Sequence, residues 1–439
     1  MQTATIHTVI SEQETDLPST ATVLKAPFYL SNPEVHWSPV TRVGFRFVFS
    51  YLALYWLAIF TGTFWGKLVA WTGVHVFGLS QNLKPVMTGS GDSTYEYVLT
   101  FCVLVFGLLA TAIWSLLDRR RTNYDRLQLW FRSALRMLLG ATIAGYGAVK
   151  LIQTQMPPPT PSGLLETYGQ SSPMHLLWTF MGASRGYNAF TGGVEMLAAV
   201  LLFIPGLTAL GALLTMTAMT NVFMLNMCYD VPVKLFSFHL LFMAAVLAAP
   251  DARRLAQFFL FGRTARLRKN PPLFKRLWVK RTMLVLQLVF CVAVTVGPLY
   301  VAHKAQQSFS DFAKSPTFGS WSVDQYAMDG KSISSGANNR WQTLVWERPM
   351  VLKIGMDGSW QRFLVNQDVS KRTFEIRSLD DDKWTTGFSY QNPQPDSMTI
   401  TGPFDGHRID VHLRRLPQPS SFPLTSRGFH WINEYPYNE

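Results

Sequence analysis

The chain has 439 residues, of which 48% are hydrophobic and 15% are charged, and its formal net charge is +12. Its mean hydropathy of +0.11 is modest, because long apolar segments are averaged with polar stretches at both ends. Much of the positive charge lies in two loops between apolar segments, 118–126 and 253–281, as in the cytoplasmic loops of membrane proteins, which argues against nucleic acid as a partner.

The first 40 residues are predicted to form a polar cytoplasmic lead, because they lack the charged start and apolar core of a signal peptide. About seven apolar segments follow that are long enough to cross a hydrocarbon layer about 30 Å thick. They lie near 44–65, 96–117, 129–151, 188–206, 207–228, 233–249 and 281–302. The sequence therefore predicts a polytopic α-helical membrane bundle, with the first segment as a retained anchor.

Placing the basic loops in the cytoplasm orients the remaining segments. Residues of about 66–95 and 152–187 and the C-terminal tail are then outside. The first outer loop is predicted to hold an amphipathic surface helix near 65–80 and a capping box formed by Ser93 and Glu96. The second outer loop is predicted to hold two short surface helices, "GLLETYG" and "MHLLWTFMG".

Beyond residue 303 the hydrophobic pattern alternates, as in β-strands. In "RIDVHLRR" the residues Ile409, Val411 and Leu413 share one face. Dipeptides typical of hairpin turns, Asp329-Gly330, Asp357-Gly358 and Asp405-Gly406, separate such runs. The tail is predicted to be a small antiparallel all-β domain outside the cytoplasm, a sandwich or barrel of about seven to nine strands. Six tryptophans are candidates for its core: 321, 341, 346, 360, 384 and 431.

The predicted organisation has five parts. These are the polar lead 1–40, two N-terminal transmembrane helices with an outer amphipathic loop over 41–128, a four-helix unit over 129–255, a basic cytoplasmic loop with the last transmembrane helix over 256–302, and the β domain over 303–439.

Polar side chains recur within the predicted spans. A charged side chain at the centre of a membrane helix costs about 2.5–3.5 kcal/mol on insertion scales, so such groups usually face partners or water. We therefore expect Lys150, Glu195, Asp230 and Lys234 to meet inside the bundle, near its outer face. The other polar residues at this level are Tyr146, Asn221, Asn226 and His239.

A structural interpretation of these residues stays open. Asp230 and Lys234 are close enough to a turn to be ordinary surface residues, and the amine of Lys150 can reach the interface along its own stem. Asn221 and Asn226 can hold helices together. The spacing of cysteines and histidines predicts neither a metal cluster nor a disulfide framework.

Three stretches resemble the DoxX family of bacterial membrane proteins, which are four-helix units. They are "GYGAVKL", "GGVEMLAAVLLFIPGLTALGALL" and "NVFMLNMCYDVPVKLFSFHLLFMAAVLAAPD", and the likeness covers roughly 135–255. The ending "LTSRGFHWINEYPYNE" is similar to that of long DoxX-like proteins with an appended β tail. A fainter similarity is to the membrane bundle of vitamin-K-dependent carboxylase-like proteins.

The resemblance implies a protein of the bacterial inner membrane that works beside a redox partner, with quinone as a possible cofactor. Lys150 and Glu195 are the positions carried over from the family, as polar anchors for a head-group. The family's namesake is associated with quinone-linked oxidation of reduced sulfur, but the appended tail departs from the minimal family and argues against a thiosulfate substrate.

The first hypothesis is a quinone-linked oxidoreductase subunit. Burial favours the neutral form of a carboxylic acid, so that a buried carboxylate can exchange protons with a quinol. The predicted catalytic residues are Glu195, Asp230 and His239. The predicted ligand-binding residues are Lys150, Tyr146, Asn221, Asn226 and Lys234.

Two other hypotheses stand beside it. In the first, the chain is a non-enzymatic membrane scaffold or envelope assembly factor that acts through its β domain and binds an envelope protein. In the second, it is a transporter for a small anion or lipid, which the lack of a visible inverted repeat disfavours.

Overall fold

The structure is a computed structural model that describes residues 37–79, 83–85, 89–262, 273–334, 340–356, 359–379, 383–417 and 419–436. The predicted polar lead over 1–40 lies almost entirely outside the described residues, and so does the predicted turn at Asp357-Gly358.

The N-terminal part of the described chain is helical. Its helices are α1 (Pro39–Phe60), α2 (Gly62–His75), α3 (Thr94–Leu117), α4 (Asp125–Leu151), α5 (Pro161–Leu165), α6 (Pro173–Ala183), α7 (Arg185–Phe203), α8 (Thr208–Cys228), α9 (Lys234–Ala248), α10 (Ala252–Phe259) and α11 (Leu277–Ala313). A short helix α12 (Pro423–Ser426) follows the strands.

Six helical segments of the described residues are long and apolar enough to cross a membrane. They are Pro39–Ile59, Thr94–Leu117, Arg185–Phe203, Pro205–Cys228, Lys234–Phe259 and Leu277–Ala313. The remaining predicted span, 129–151, corresponds to α4, which has 27 residues but is less apolar because it carries Arg132, Arg136 and Lys150. On the grounds of helix length and apolarity, the predicted polytopic membrane bundle is confirmed.

The ends of the first and the last predicted spans differ from the structure. The first segment is not one helix to residue 65, because the backbone leaves the helical conformation at Thr61, whose hydroxyl donates to the Leu57 carbonyl and accepts from the Trp65 indole. The last helix does not end at residue 302 but continues to Ala313, since 303–313 contains neither Gly nor Pro to stop it. The first strand therefore begins only at Gly319.

The C-terminal part is a closed antiparallel barrel. Its strands are β1 (Gly319–Met328), β2 (Lys331–Ser332), β3 (Trp341–Arg348), β4 (Val351–Met356), β5 (Ser359–Asp368), β6 (Thr373–Ser378), β7 (Thr385–Gln394), β8 (Ser397–Phe404) and β9 (His407–Arg415). Each main strand pairs with its neighbour, and β9 returns to pair with β1, so that eight strands close the barrel while β2 extends β1 as a hairpin. The predicted β domain is confirmed, as a barrel rather than a sandwich.

The predicted turns and inward faces of the described strands agree with the barrel. Asp329-Gly330 and Asp405-Gly406 both have positive φ at each residue, as a two-residue type I′ hairpin requires. Ile409, Val411 and Leu413 are all buried in the barrel core.

The predicted tryptophan core is only half right. Trp321, Trp341 and Trp346 are fully buried inside the barrel. Trp384 only packs against the edge of this core, whereas Trp360 and Trp431 are exposed. The three inner indoles occupy inward positions of their strands, and the alternation around Trp360 places Phe363 inward instead.

A buried carboxylate fixes the barrel to the helical part. Glu347 of β3 accepts hydrogen bonds from the backbone N–H and the hydroxyl of Ser162 at 2.6 and 2.7 Å, and from the Ser320 hydroxyl at 2.9 Å. Ser162 lies in α5, in the segment between α4 and α7. This segment therefore contacts both the bundle and the barrel.

We expect Tyr326→Phe to stabilise the protein by about 1–3 kcal/mol at neutral pH, because it removes a buried hydroxyl without a partner, and to stabilise it further at alkaline pH. The Tyr326 hydroxyl is buried with no hydrogen-bond partner among the described residues, and burial raises the pKa of Tyr326 to about 12. The folded state thus favours the neutral phenol of Tyr326. The corresponding contribution to the stability of the wild-type protein is fully present below the unfolded pKa of about 10 and is lost as the pH rises through about 12.

The measurement is denaturant unfolding of the full-length protein at several pH values, followed by the fluorescence of the barrel tryptophans. Tyr435→Phe, at an exposed position, is the control. An advantage of Tyr326→Phe that does not grow between pH 10 and pH 12 would contradict the prediction.

Candidate functional site

An ion pair between Lys150 and Glu195 lies inside the helical bundle. The Lys150 amine donates to Oε1 of Glu195, and the two residues are only 6% and 2% exposed. Lys150 is in the last turn of α4, and Glu195 is in the middle of α7. Since α4 and α7 pack along each other, these two predicted residues meet as expected.

Two glycines let these helices approach closely. A Cβ atom on Gly192 would lie 2.7 Å from the Leu151 nitrogen and 2.8 Å from the Gly147 carbonyl oxygen. A Cβ atom on Gly147 would lie 2.9 Å from the Gly192 carbonyl oxygen. Small residues commonly allow such backbone contact between membrane helices, and the contact places Lys150 beside Glu195.

The ion pair lines a cavity of about 340 Å³. Helices α4, α6, α7, α8 and α9 contribute to its wall, which is mainly apolar and aromatic. The polar residues in the wall include Tyr146, Lys150, Gln155, Thr191, Glu195, Asn221, Asn226 and Ser237. Five of the eight predicted site residues, Tyr146, Lys150, Glu195, Asn221 and Asn226, therefore share one space.

Two oxygen atoms beside this cavity lack a hydrogen-bond partner in the part of the chain that the structure describes. They are Oε2 of Glu195 and Oε1 of Gln155, and both are buried. A buried polar atom without a partner costs free energy of about 1–3 kcal/mol, and such atoms are rare in folded proteins. Both oxygens are hydrogen-bond acceptors, so their missing partner is a hydrogen-bond donor, either a ligand or a bound water.

The segment 152–183 covers one end of the cavity, and its anchors are not evident from the sequence. Asn188 is fully buried, and its amide donates to the carbonyls of Met156 and Met181, both at 3.0 Å. The Trp178 indole donates to the Gln155 carbonyl at 3.1 Å. An asparagine in the first turn of an apolar helix is the one visible signal, since a buried amide requires partners.

Asp230 and Lys234 do not join the buried pair, so the prediction that four charged side chains meet was wrong. Asp230 follows α8 with a φ of 50°, and its side chain is 85% exposed. Its carboxylate binds the Lys234 amine at 2.9 Å, beside Asp92 at 3.8 Å. The left-handed backbone at Asp230 directs the chain from α8 into α9 and leaves both side chains outside the cavity wall.

Asp92 is a residue that the sequence prediction missed. Its two carboxylate oxygens accept from the backbone N–H groups of Lys234 and Leu235, at 2.7 and 2.9 Å. These are free donors of the first turn of α9, so Asp92 caps this helix from a distant part of the chain. No local sequence pattern predicts a cap from so distant a residue.

His239 is buried but lies outside the cavity wall. Its Nδ1 is 2.7 Å from the Leu235 carbonyl, which only accepts, so Nδ1 carries the proton. Nε2 then accepts from the Tyr51 hydroxyl at 2.7 Å, and the ring stacks on Tyr55 at 3.8 Å. Both nitrogens are therefore engaged, Nδ1 within α9 and Nε2 in joining α9 to α1, whereas the predicted catalytic role needs a nitrogen that reaches a ligand.

The two predicted amides differ in their surroundings. Asn226 is buried and donates to the Ser237 hydroxyl at 3.0 Å, joining α8 to α9, as the structural interpretation expects. Asn221 lines the cavity from a more exposed position. Tyr146 lines both this cavity and a neighbouring one of about 420 Å³, which also contains Glu96.

Fold and site together define a polytopic membrane protein whose helices enclose a mainly apolar cavity with a buried ion pair in its wall, and whose C-terminal part is an eight-stranded barrel. The chain is similar to the uncharacterised protein YwoB of Bacillus subtilis (strain 168), with 34% identity over 127 residues. The match covers 80% of YwoB and 29% of this chain, and the chain belongs to the family of YwoB. No family model matches the chain, and no solved structure does.

Proposed function

We propose that this chain is a DoxX-like subunit of a quinone-linked membrane oxidoreductase, and that its intramembrane cavity binds the quinone head-group. One observation carries the proposal: the buried Lys150–Glu195 pair lines an otherwise largely apolar cavity, with Oε2 of Glu195 lacking a hydrogen-bond partner among the described residues. These are also the two residues that the DoxX resemblance carries over.

The cavity suits a quinone in size and in chemistry. Its volume of about 340 Å³ lies within the range of small-ligand sites, about 300–1,000 Å³. Aromatic side chains in its wall, including Trp178, Phe190 and Phe236, provide surfaces for a flat ring. A quinone carbonyl accepts a hydrogen bond from an ammonium, and a quinol hydroxyl donates one to a carboxylate.

Lys150 and Glu195 have complementary roles in this proposal. A bound quinone would supply the two-electron chemistry, with two electrons and one proton delivered by a separate redox protein and the other proton by Glu195. Lys150 orients a ring oxygen by donating to it. Glu195 holds a proton at Oε2 and gives it to, or takes it from, that oxygen, while the apolar wall excludes bulk water.

The proposed location is the bacterial inner membrane. The loop 118–126, with Arg119, Arg120 and Arg121, is cytoplasmic in this proposal, in line with the positive-inside rule. The barrel and the cavity end of α4 are then on the periplasmic side, where a redox partner can approach the segment 152–183.

A second candidate function is that of a membrane scaffold or envelope assembly factor. The observation in its favour is an exposed aromatic stretch after the barrel, with Phe429, Trp431 and Tyr435 all more than three-quarters exposed. Exposed groups of this kind often mark protein-binding surfaces. In that case deletion of 422–436 abolishes partner binding, and substitution of Glu195 does not.

We expect Glu195→Gln to weaken binding of a short-chain quinone by about tenfold or more, because a hydrogen bond to a charged group contributes about 1.5–3 kcal/mol. The measurement is quenching of tryptophan fluorescence in the purified full-length protein as the quinone is added. Asp230→Asn is the matched control, since it removes a carboxylate from the exposed pair. Failure of the wild-type protein to bind quinone, or equal affinities in all three proteins, would refute the proposal.

A further inference from the structure

A cleft of about 650 Å³ lies outside the bundle, between the barrel and the segment 157–179. Strands β3, β4 and β5 form one wall, and the prolines 157–159 with α5 and part of α6 form the other. The Glu347–Ser162 hydrogen bonds described above hold the two walls together. The cleft is thus part of the folded protein.

Three cations line the barrel wall of this cleft, one on each of three neighbouring strands. They are Arg348 at the end of β3, Lys353 in β4 and Arg362 in β5. Lys353 and Arg362 are directly opposite each other in the strand register. Like charges in this position destabilise a sheet, and across the described ranges no side chain forms a hydrogen bond or an ion pair with any of the three.

The acidic residues of the cleft are already engaged. Both oxygens of Glu347 accept hydrogen bonds from serine or backbone donors, and Glu166 lies 3.4 Å from the His175 ring on the opposite wall. Burial and the neighbouring Arg362 lower the pKa of Lys353, although Glu347 partly offsets this. The cleft therefore holds three cations against two carboxylates, and neither carboxylate forms an ion pair with any of the three among the described residues.

An indole lies beside these cations. Trp360 of β5 is 55% exposed, and its ring lies over Gly355 of β4, where a Cβ atom would be 3.3 Å from it. Trp178 of α6 lines the same cleft from the other wall. The cleft therefore offers a cationic patch next to aromatic and proline surfaces.

We propose that this cleft binds a phosphate-type anion, either the headgroup of an anionic phospholipid or a soluble phosphorylated compound. A phosphate group carries several charged oxygens on one phosphorus atom, and three cations from neighbouring strands can bind these oxygens together. Guanidinium groups bind phosphate through two parallel hydrogen bonds. The segment 157–179 joins α4 to α7 and so runs at the ends of two membrane helices, within reach of both ligand sources. This proposal does not depend on quinone binding.

The test uses full-length protein and two ligand arms. In the first arm, inorganic pyrophosphate is added to protein in a neutral detergent; in the second, the protein is placed in nanodiscs of phosphatidylcholine with or without phosphatidylglycerol. Thermal unfolding is followed in both. The variant is Lys353→Met with Arg362→Gln, and the control is Arg377→Gln, an exposed cation on β6 outside the cleft.

Two results are expected together. Without an added anion, the double variant is more stable than the wild type, because the opposed charges are gone. With the anion, wild type and Arg377→Gln are stabilised, while the double variant needs at least about tenfold more ligand for the same shift. A response in the pyrophosphate arm alone assigns a soluble ligand, and one in the phosphatidylglycerol arm alone assigns a lipid headgroup. If neither arm stabilises the wild type, or the double variant responds equally, the proposal is overturned.

Discussion

Glu195→Leu is expected to destabilise the protein by about 3–5 kcal/mol, because it leaves the Lys150 ammonium buried without its partner. Lys150 is 6% exposed, and its amine pairs only with Glu195 among the described residues. Without its partner, Lys150 must either lose its proton or keep an unpaired charge in the protein interior, and both outcomes cost free energy. Thermal unfolding of the full-length protein in detergent, with monodispersity on size exclusion as a check of folding, measures the loss.

The double variant Lys150→Met with Glu195→Leu separates stability from function. Replacing a buried ion pair by apolar residues of similar size is often neutral or stabilising, so we expect the unfolding temperature to return close to that of the wild type. Quinone binding is not expected to return, because both polar anchors are then absent. A double variant that recovers stability and also binds quinone as the wild type does would assign the pair a purely structural role.

Asp230→Asn is the matched control for these variants, because asparagine tolerates the positive φ of this position. It removes the charge of a carboxylate that is likewise paired with a lysine amine, but the Asp230 side chain is 85% exposed, and exposed pairs contribute about 0–1 kcal/mol. A loss at Asp230 as large as that at Glu195 would mean that burial does not set the cost.

The period of the hydrophobic residues and the positions of the charged residues were sufficient to predict the helices and strands that bury one side. The apolar segments define the membrane helices, and the alternation of Ile409, Val411 and Leu413 defines the inward face of β9. The meeting of Lys150 with Glu195 was predictable as well, because an isolated charge within a membrane helix is costly and the two residues lie at one depth.

Features that depend on contacts between distant segments were not predictable from the sequence. Asp230 and Lys234 are a carboxylate and an amine like the buried pair, and only the left-handed turn at Asp230 shows that they point away. The cap of α9 by Asp92 and the closure of the barrel by β1 and β9 join residues far apart in the chain. No local hydrophobic pattern predicts such contacts.

Gly192→Ala is expected to destabilise the protein by about 1–3 kcal/mol and to reduce quinone binding with it. The added methyl group would lie 2.7–2.9 Å from the Leu151 nitrogen, the Gly147 oxygen and the Lys150 Cβ. Two of these three atoms belong to the backbone and cannot turn aside, so α4 and α7 must separate. Separation of these helices displaces Lys150 from Glu195, and unfolding and quinone titration of the full-length protein measure the two effects.

The neighbouring residue provides the control. A Cβ atom on Gly193 meets nothing within 4 Å, and alanine is favoured over glycine inside a helix by about 1 kcal/mol. Gly193→Ala should therefore leave quinone binding unchanged and stability equal or higher. Because the two substitutions are chemically identical and adjacent on α7, a difference between them reports the α4–α7 contact alone. Equal behaviour of the two variants would mean that close packing of these helices does not position the ion pair.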